Sequence, residues 1–225
     1  MDVIIYGASG MVGQGALRAC LADAGVRRVV AVGRTPCGLA HPKLQELVRR
    51  DLSDNGAVEA DLTGFDACFF CLGVSSSGMD EAAYTRITYD LTLAVATLLA
   101  RLNPAMTFVY VSGAGTDSSA RGRVMWARIK GRTENALQRL PFKAVYLFRP
   151  GAIQPLGGIV SKTPAYRLLY TWTRPLLTLL RHLAPTWVLT TNSVGRAMIA
   201  VARGGLRKNV LEAPDIYAAS REAGR

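Results

Sequence analysis

Three glycines near the start of the chain have the spacing of a phosphate-binding turn. They form the pattern G-x-x-G-x-x-G in the segment GASGMVG (residues 7–13), between an apolar run and an amphipathic one. In a turn from strand to helix, the first glycine permits the tight bend, the second lets the backbone approach a pyrophosphate, and the third lets helix and strand pack closely. The N-terminus of the following helix adds amide donors and a partial positive charge. The pattern therefore predicts a dinucleotide-binding turn made of Gly7, Ser9, Gly10, Met11, Val12 and Gly13.

The residue after the second predicted strand indicates which dinucleotide is bound. An acidic residue at this place would accept a hydrogen bond from the ribose 2′-hydroxyl of NAD. This chain has Gly33-Arg34-Thr35 there instead. A guanidinium at Arg34 can clamp a 2′-phosphate through charge-assisted hydrogen bonds, and Thr35 can add a hydroxyl. The site is therefore predicted to take NADP, with NAD as the less favoured cofactor, unless Arg34 is an ordinary exposed arginine.

Four further motifs follow predicted strands. They are Arg50-Asp51-Leu52, Cys71-Leu72-Gly73, Ser112-Gly113-Ala114 and Phe148-Arg149-Pro150-Gly151. Together with the glycine turn and Lys130-Gly131, they resemble the atypical short-chain dehydrogenases/reductases, and most of all the NAD(P)-binding branch that contains Tat-interacting oxidoreductase-like and bacterial epimerase/dehydratase-like proteins. The resemblance runs from residue 1 to about 155 and is weak near 190–205. It implies an NADP(H)-binding protein that acts as an oxidoreductase on a small carbonyl substrate, which the resemblance does not identify.

The resemblance also implies cofactor contacts beyond the glycine turn. Asp51 and Leu52 are expected to flank the adenine. A ribose of the cofactor is expected to contact Cys71, Leu72 and Gly73. The nicotinamide is expected to contact Pro150, Gly151 and Ile153.

The expected catalytic centre lacks one of its usual groups. Members of this superfamily that transfer hydride use a Tyr four residues before a Lys on one helix, with a Ser on a nearby loop. The resemblance assigns Ser112 to position the substrate oxygen and Lys130 to hold the nicotinamide ribose. Trp126 stands where the Tyr is expected, and an indole cannot exchange a proton near neutral pH. The general acid is therefore missing from its usual place.

Three interpretations of this gap are open. In the first, another phenol transfers the proton, and the candidates are Tyr84, Tyr89 and Tyr110. In the second, the protein is a non-catalytic NADP-sensing or protein-interaction module. In the third, solvent supplies the proton to a slow reductase. Lys130 keeps a ribose-binding role in all three.

The elements that would position these groups follow from the alternation of short apolar runs with helical patterns. Strands are predicted at 2–6, 28–32, 44–49, 65–72, 107–112, 143–148 and 209–211, and helices at 11–24, 81–102, 124–139 and 194–202. Repeated βαβ units predict an α/β, Rossmann-type doubly wound parallel sheet with a small C-terminal subdomain. The predicted NADP-binding core is 1–150, with 190–204 returning to it. The predicted substrate or lid subdomain is made of 151–190 and 205–225.

The composition excludes several other classes of protein. Half of the 225 residues are hydrophobic and 19% are charged, which excludes intrinsic disorder. Four cysteines are too few to staple a small secreted fold, so a reduced, intracellular and cytoplasmic protein is expected. Cys68 and Cys71 have C-x-x-C spacing, but within a strand such residues point to opposite faces. Buried thiols are therefore expected there, and no metal site.

Positive charge is concentrated in the second half of the chain. Residues 1–112 carry 9 basic and 11 acidic side chains, whereas residues 113–225 carry 18 and 5. This asymmetry suits an anionic cofactor, a nucleic acid or an anionic membrane surface. The chain has no obvious recognition helix, which disfavours nucleic acid. The amphipathic segment 166–187, with arginines seven residues apart, is expected to be a substrate lid, a dimer contact or a peripheral anchor on anionic lipid.

Overall fold

Seven parallel strands form the central sheet of the described residues. The computed structural model describes residues 1–53, 58–155, 186 and 188–222. Its strands, in chain order, are β1 (Asp2–Tyr6), β2 (Arg28–Gly33), β3 (Leu44–Val48), β4 (Ala67–Phe70), β5 (Thr107–Val111), β6 (Ala144–Arg149), β7 (Ala152–Gln154), β8 (Val188–Thr190) and β9 (Val210–Glu212). The order across the main sheet is β3-β2-β1-β4-β5-β6-β9, and β7 and β8 pair separately. The predicted Rossmann-type parallel sheet is confirmed.

Helices cover both faces of this sheet. They are α1 (Met11–Ala22), α2 (Glu81–Thr85), α3 (Leu91–Leu102), α4 (Met125–Leu137), α5 (Thr191–Gly204) and α6 (Ala213–Glu222). A π-helical turn (Arg86–Asp90) joins α2 to α3 within the region predicted as one long helix. Asp80 begins α2, because its carboxylate accepts a hydrogen bond from the Ala83 backbone N–H. Among the described residues, no helix combines the length and the apolar character needed to cross a membrane.

The side chains of β1 illustrate how the sheet is buried on both faces. Val3 and Ile5 belong to one core, which includes residues of α1, α5 and α6. Ile4 and Tyr6 belong to the other, which includes residues of α3. Because both faces are covered, a central strand such as β4 carries apolar side chains at every position. The carboxyl ends of β1, β2 and β4 are thereby held side by side.

The C-terminal residues join the main sheet, which differs from the expectation for 205–225. β9 pairs in parallel with β6, and Leu211 lies buried at its centre. Ile216 and Ala219 of α6 pack into the same core as α1. The strand predicted at 209–211 is confirmed as β9, but a three-residue strand with a single buried side chain gives no sign in the sequence that it joins the main sheet. The small subdomain itself stays a prediction, since 156–185 and 187 lie outside the described residues.

A buried asparagine ties the end of α3 to the start of β4. The Oδ1 atom of Asn103 accepts hydrogen bonds from the backbone N–H groups of Gly64 and Phe65, at 2.7 and 2.9 Å. Its Nδ2 atom donates to the Leu62 carbonyl oxygen at 2.9 Å. One side chain thus satisfies three backbone groups in the loop that leads into β4.

Replacing Asn103 with Ala is expected to lower the free energy of unfolding by about 1–3 kcal/mol, because buried backbone groups lose their partner. Urea denaturation measures the change. Thr63→Ala is the matched control, since the Thr63 hydroxyl donates to the Glu59 carbonyl oxygen in an exposed turn. Equal losses of stability in the two variants would contradict the role assigned to Asn103.

Candidate functional site

A cleft of about 500 Å³ opens at the carboxyl ends of β1, β2 and β4. The chain passes from one side of β1 to the other between β3 and β4, and open α/β sheets bind ligands at such a switch point. The cleft is lined by Gly7, Ser9, Gly10, Met11, Gly33, Arg34, Thr35, Leu52, Cys71, Leu72 and Gly73. The structure therefore brings together residues of four segments that the sequence predicted to contact a dinucleotide.

Backbone geometry explains why the turn after β1 needs its glycines. Gly7 has a φ of +76°, in the left-handed region that favours glycine. A β-carbon on Gly13 would lie 2.1 Å from the Gly7 carbonyl oxygen, so α1 can pack this close to β1 only without a side chain there. A β-carbon on Gly10 would meet only that oxygen, at 3.2 Å. Gly7 and Gly13 thus build the turn, whereas Gly10 leaves space for a ligand.

The N-terminus of α1 gives the cleft a positive partial charge. α1 begins at Met11, and its first turn contains no acidic side chain. The N–H groups of this turn and the helix dipole favour an anion. Val12 and Gly13 differ from their neighbours, because Val12 packs against the core and Gly13 is buried, and neither lines the cleft. The space and the donors fit the pyrophosphate and one nucleoside of a dinucleotide.

Arg34 and Thr35 stand at the rim of the cleft, in the turn after β2. The Arg34 side chain is exposed, and the Thr35 hydroxyl donates to the Ser9 hydroxyl oxygen at 3.3 Å. Among the described lining residues there is no Asp or Glu. A cation and a hydroxyl thus occupy the place where a carboxylate would bind the ribose 2′-hydroxyl of NAD.

The two residues expected beside the adenine separate in the structure. Leu52 is buried and lines the cleft. Asp51 is exposed, and its carboxylate accepts hydrogen bonds from the backbone N–H and the hydroxyl of Ser53, at 2.8 and 2.6 Å. Asp51 therefore shapes the turn after β3, and only Leu52 of this pair reaches the cleft.

The two thiols of the C-x-x-C segment lie in different cores. Cys68 packs in the core that includes α3, whereas Cys71 packs beside the core on the α1 side and lines the cleft. Burial raises the pKa of both thiols, that of Cys71 to about 12, so neither is a thiolate near neutral pH. Within the described ranges, no group of three or more His, Cys, Asp or Glu side chains is placed to hold a metal ion.

Ser112 lies buried directly after β5 and forms a hydroxyl pair with Thr116. Their oxygens are 3.0 Å apart, and the Thr116 hydroxyl donates to the Gly113 carbonyl oxygen at 2.7 Å. Because the single Thr116 hydroxyl hydrogen is already donated to Gly113, the Ser112 hydroxyl is the donor of the pair. Sequence reasoning did not identify Thr116, since a hydroxyl four residues after a serine in a glycine-rich loop is a weak signal.

Lys130 lies on α4, one helical turn after Trp126. Its side chain is partly buried, and its Nζ atom lies 5.5 Å from the centre of the Tyr110 ring. Burial lowers the pKa of Lys130 to about 8, against an opposing effect of the Glu134 charge. Lys130 therefore gains and loses its proton close to neutral pH, unlike an ordinary surface lysine.

The three phenols proposed as alternative acids lie outside the cleft, although the Tyr110 ring faces Lys130. Tyr84 and Tyr110 are buried, and burial raises the pKa of Tyr110 further from neutrality. The Tyr89 ring is covered by the Arg132 guanidinium, at 4.1 Å. The predicted catalytic residues Ser112 and Lys130 do not line the described cleft either.

The residues expected near the nicotinamide lie beside the Ser112 loop. The Ala114 backbone N–H donates to the Pro150 carbonyl oxygen at 3.1 Å, which joins this loop to the end of β6. Gly151 is exposed, and Ile153 is buried on β7. None of the predicted three lines the cleft described above. The predicted amphipathic segment 166–187 lies outside the described residues, apart from Thr186.

Comparison with known proteins shows similarity to a cofactor-binding family. The sequence model of a family described as NAD(P)H-binding matches residues 7–141. "Protein fmp52-2, mitochondrial" of Aspergillus terreus is 28% identical over 171 residues, which cover 73% of this chain and 72% of that protein. "Protein HTATIP2" of Rattus norvegicus is 28% identical over 156 residues, which cover 68% of this chain and 62% of that protein. A crystal structure of the Bordetella bronchiseptica enzyme WbmF with NAD+ matches with a TM-score of 0.70 at 18% identity, over 98% of this chain and 77% of that one, which shows the fold alone.

The relatives also correct one expectation. The cytoplasmic location expected from the cysteine usage is wrong, because several fungal relatives are named as mitochondrial fmp52 proteins. A low cysteine count reports a reducing environment and does not distinguish the compartments that provide one.

Replacing Gly13 with Ala is expected to lower the free energy of unfolding by about 1–3 kcal/mol, because the new methyl group overlaps the Gly7 carbonyl oxygen and forces α1 away from β1. Gly10→Ala is the matched control in the same turn, and it should cost clearly less stability, because its methyl group would meet the same oxygen at 3.2 Å instead of 2.1 Å. Thermal and urea denaturation measure both. A Gly13→Ala protein as stable as Gly10→Ala would show that the helix does not depend on this contact.

Proposed function

Because the chain belongs to the NAD(P)H-binding family and is an atypical short-chain dehydrogenase/reductase, we propose that it binds NADP(H) and reduces a small carbonyl compound. One observation carries the proposal. The cleft at the glycine turn has the Arg34 guanidinium at its rim and no carboxylate among its described lining residues. NADPH bound there would supply a hydride, and the chain's own residues would bind and orient the reactants.

The selection of NADP over NAD is assigned to the rim. The 2′-phosphate carries the extra negative charge that distinguishes NADP from NAD, and Arg34 with Thr35 offers donors for it. A carboxylate at this place would repel the phosphate, and the described lining has none. Leu52 would give the adenine an apolar wall within the same cleft, and Leu72 would lie beside the ribose.

On the substrate side, the proposed work is divided between Ser112 and Lys130. The Ser112 hydroxyl donates to Thr116 here, and it would turn its hydrogen towards a substrate oxygen. The Lys130 ammonium would hold the nicotinamide ribose. Trp126 can donate a hydrogen bond through its indole N–H but supplies no proton. Proton transfer is therefore the weak step of the proposed reaction.

A second candidate function is favoured by the same tryptophan. A protein that binds NADP(H) without turnover needs the glycine turn, Arg34 and Lys130 but no proton donor. The indole of Trp126 at the place expected for the Tyr supports this alternative of an NADP-sensing or protein-interaction module.

Replacing Arg34 with Ala is expected to weaken NADPH binding at least about tenfold and to leave NADH binding nearly unchanged, because only NADPH loses a charge-assisted contact. Isothermal titration calorimetry with each cofactor measures the affinities. Arg139→Ala is the control for net charge, since Arg139 is an exposed residue just beyond the end of α4. Equal affinities of the parent protein for NADPH and NADH would rule out the assigned role of Arg34.

Replacing Trp126 with Tyr is expected to create or raise NADPH-dependent reduction of aldehydes and ketones, because it places a phenol one helical turn before Lys130. The parent should show very weak turnover on the same panel. Trp126→Phe is the matched control, since it has a ring of similar size and no hydroxyl. The rates are measured as NADPH consumption, with reactions that lack the carbonyl substrate as controls. Efficient turnover by both the parent and Trp126→Phe would contradict the account of the missing acid.

A further inference from the structure

A buried ion pair joins the end of β6 to α4. Arg149, at the end of β6, is 8% exposed, and Glu134 of α4 is 1% exposed. The Arg149 Nε atom donates to Glu134 Oε1 at 3.0 Å, and its Nη2 atom donates to Glu134 Oε2. Both carboxylate oxygens are therefore held by one guanidinium. Buried charges are costly unless they are paired in this way, so the contact constrains both side chains.

The same guanidinium reaches two further elements. Its Nη2 atom donates to the Ser118 hydroxyl at 2.6 Å, in the loop that follows Ser112. Its Nη1 atom lies 3.5 Å from the Glu212 carboxylate at the end of β9. Arg149 thus joins α4 to β6, to β9 and to the loop that carries the proposed substrate-binding hydroxyl.

Glu134 is also the acidic neighbour of Lys130. The two residues are one helical turn apart on α4, a spacing at which Lys and Glu side chains ordinarily pair. Here the carboxylate is occupied by Arg149, and the ammonium lies over the face of Tyr110, at 5.5 Å. The other titratable groups on this side are the phenols of Tyr110 on β5 and Tyr84 on α2, which interact electrostatically with each other. Glu134 supplies the negative charge that acts on Lys130.

We propose that Arg149 and Glu134 are positioning residues for Lys130. By holding both carboxylate oxygens, Arg149 prevents Glu134 from pairing with Lys130 and leaves the ammonium available to a ligand. The Glu134 carboxylate still attracts the Lys130 amine electrostatically across one helical turn and so favours its protonated form. This inference rests on the proposed function only in naming that ligand as the ribose of NADP(H).

The titration of Lys130 is the direct readout. The chain contains few lysines, namely Lys43, Lys130, Lys143, Lys162 and Lys208, so the protein labelled with 13Cε-lysine gives a simple NMR spectrum. Lys130→Arg removes one signal and assigns it. The parent midpoint is expected near pH 8, because burial lowers the pKa of Lys130 to about 8.

Glu134→Gln is expected to lower this midpoint by about 0.5–1 pH unit, because the amine loses its negative neighbour while the Arg149 charge remains. Glu212→Gln is the matched control, because it removes the other carboxylate beside Arg149. The Glu212 side chain is 44% exposed, so solvent screens its charge, and its loss should leave the Lys130 midpoint unchanged. Arg149→Met should move the midpoint in the opposite direction, since it frees Glu134 to pair with Lys130. If Arg149→Met does not fold, the double variant Arg149→Met/Glu134→Gln removes both buried charges. Its Lys130 midpoint should lie closer to that of the parent than the midpoint of Glu134→Gln does.

A Lys130 midpoint that does not change in Glu134→Gln, or that changes equally in Glu212→Gln, would overturn the proposal. A merely structural pair would change stability without giving shifts of opposite sign in Glu134→Gln and Arg149→Met. NADPH affinity measured across the same pH range tests the proposed function separately. If the Lys130 midpoint shifts as expected but the NADPH affinity does not change with the protonation of Lys130, the positioning of Lys130 is supported and its ribose-binding role is wrong.

Discussion

The close approach of α1 to the end of β1 is the constraint on which the cleft depends. Gly13 lies so near the Gly7 carbonyl oxygen that no side chain fits between them. The contact aims the N-terminus of α1 at the space above β1 and β4, where the sheet offers the turn after β4 as a second wall. An anion-binding surface made of backbone atoms follows from this packing, and it needs no charged side chain at its centre.

A second set of buried contacts fixes the other half of the site. The Arg149–Glu134 pair anchors α4 to β6, and Ser118 extends the anchor to the loop after β5. Lys130 projects from the helix held in this way, and Ser112 begins the same loop. The nucleotide side of the site is thus set by backbone packing, whereas the proposed catalytic side is set by a buried polar network. Such a network orders its residues only when every member is paired.

The parts of this site that depend on neighbours in the chain could be predicted from the sequence. The turn at Gly7 to Gly13 and the rim at Arg34 each follow directly from the end of a strand, so local pattern and parallel topology place them together. Asp51 shows where this reasoning ends, because its carboxylate bonds Ser53 and the pattern carries no sign of that. The Arg149–Glu134 pair joins residues from different elements, and its partners are known only once β6 and α4 are packed. The last strand was predicted at 209–211, but its pairing with β6 was not, because that partner is known only once the sheet is assembled.

The central claim is that the cleft above the glycine turn holds NADP(H), and a crystal structure of the protein grown with NADP+ tests it most directly. The account predicts a pyrophosphate against the backbone of Gly10 and Met11, the adenine beside Leu52, and the 2′-phosphate within hydrogen-bonding distance of Arg34. A dinucleotide bound elsewhere on the protein, or one in this cleft with its 2′-phosphate turned away from Arg34, would contradict the account.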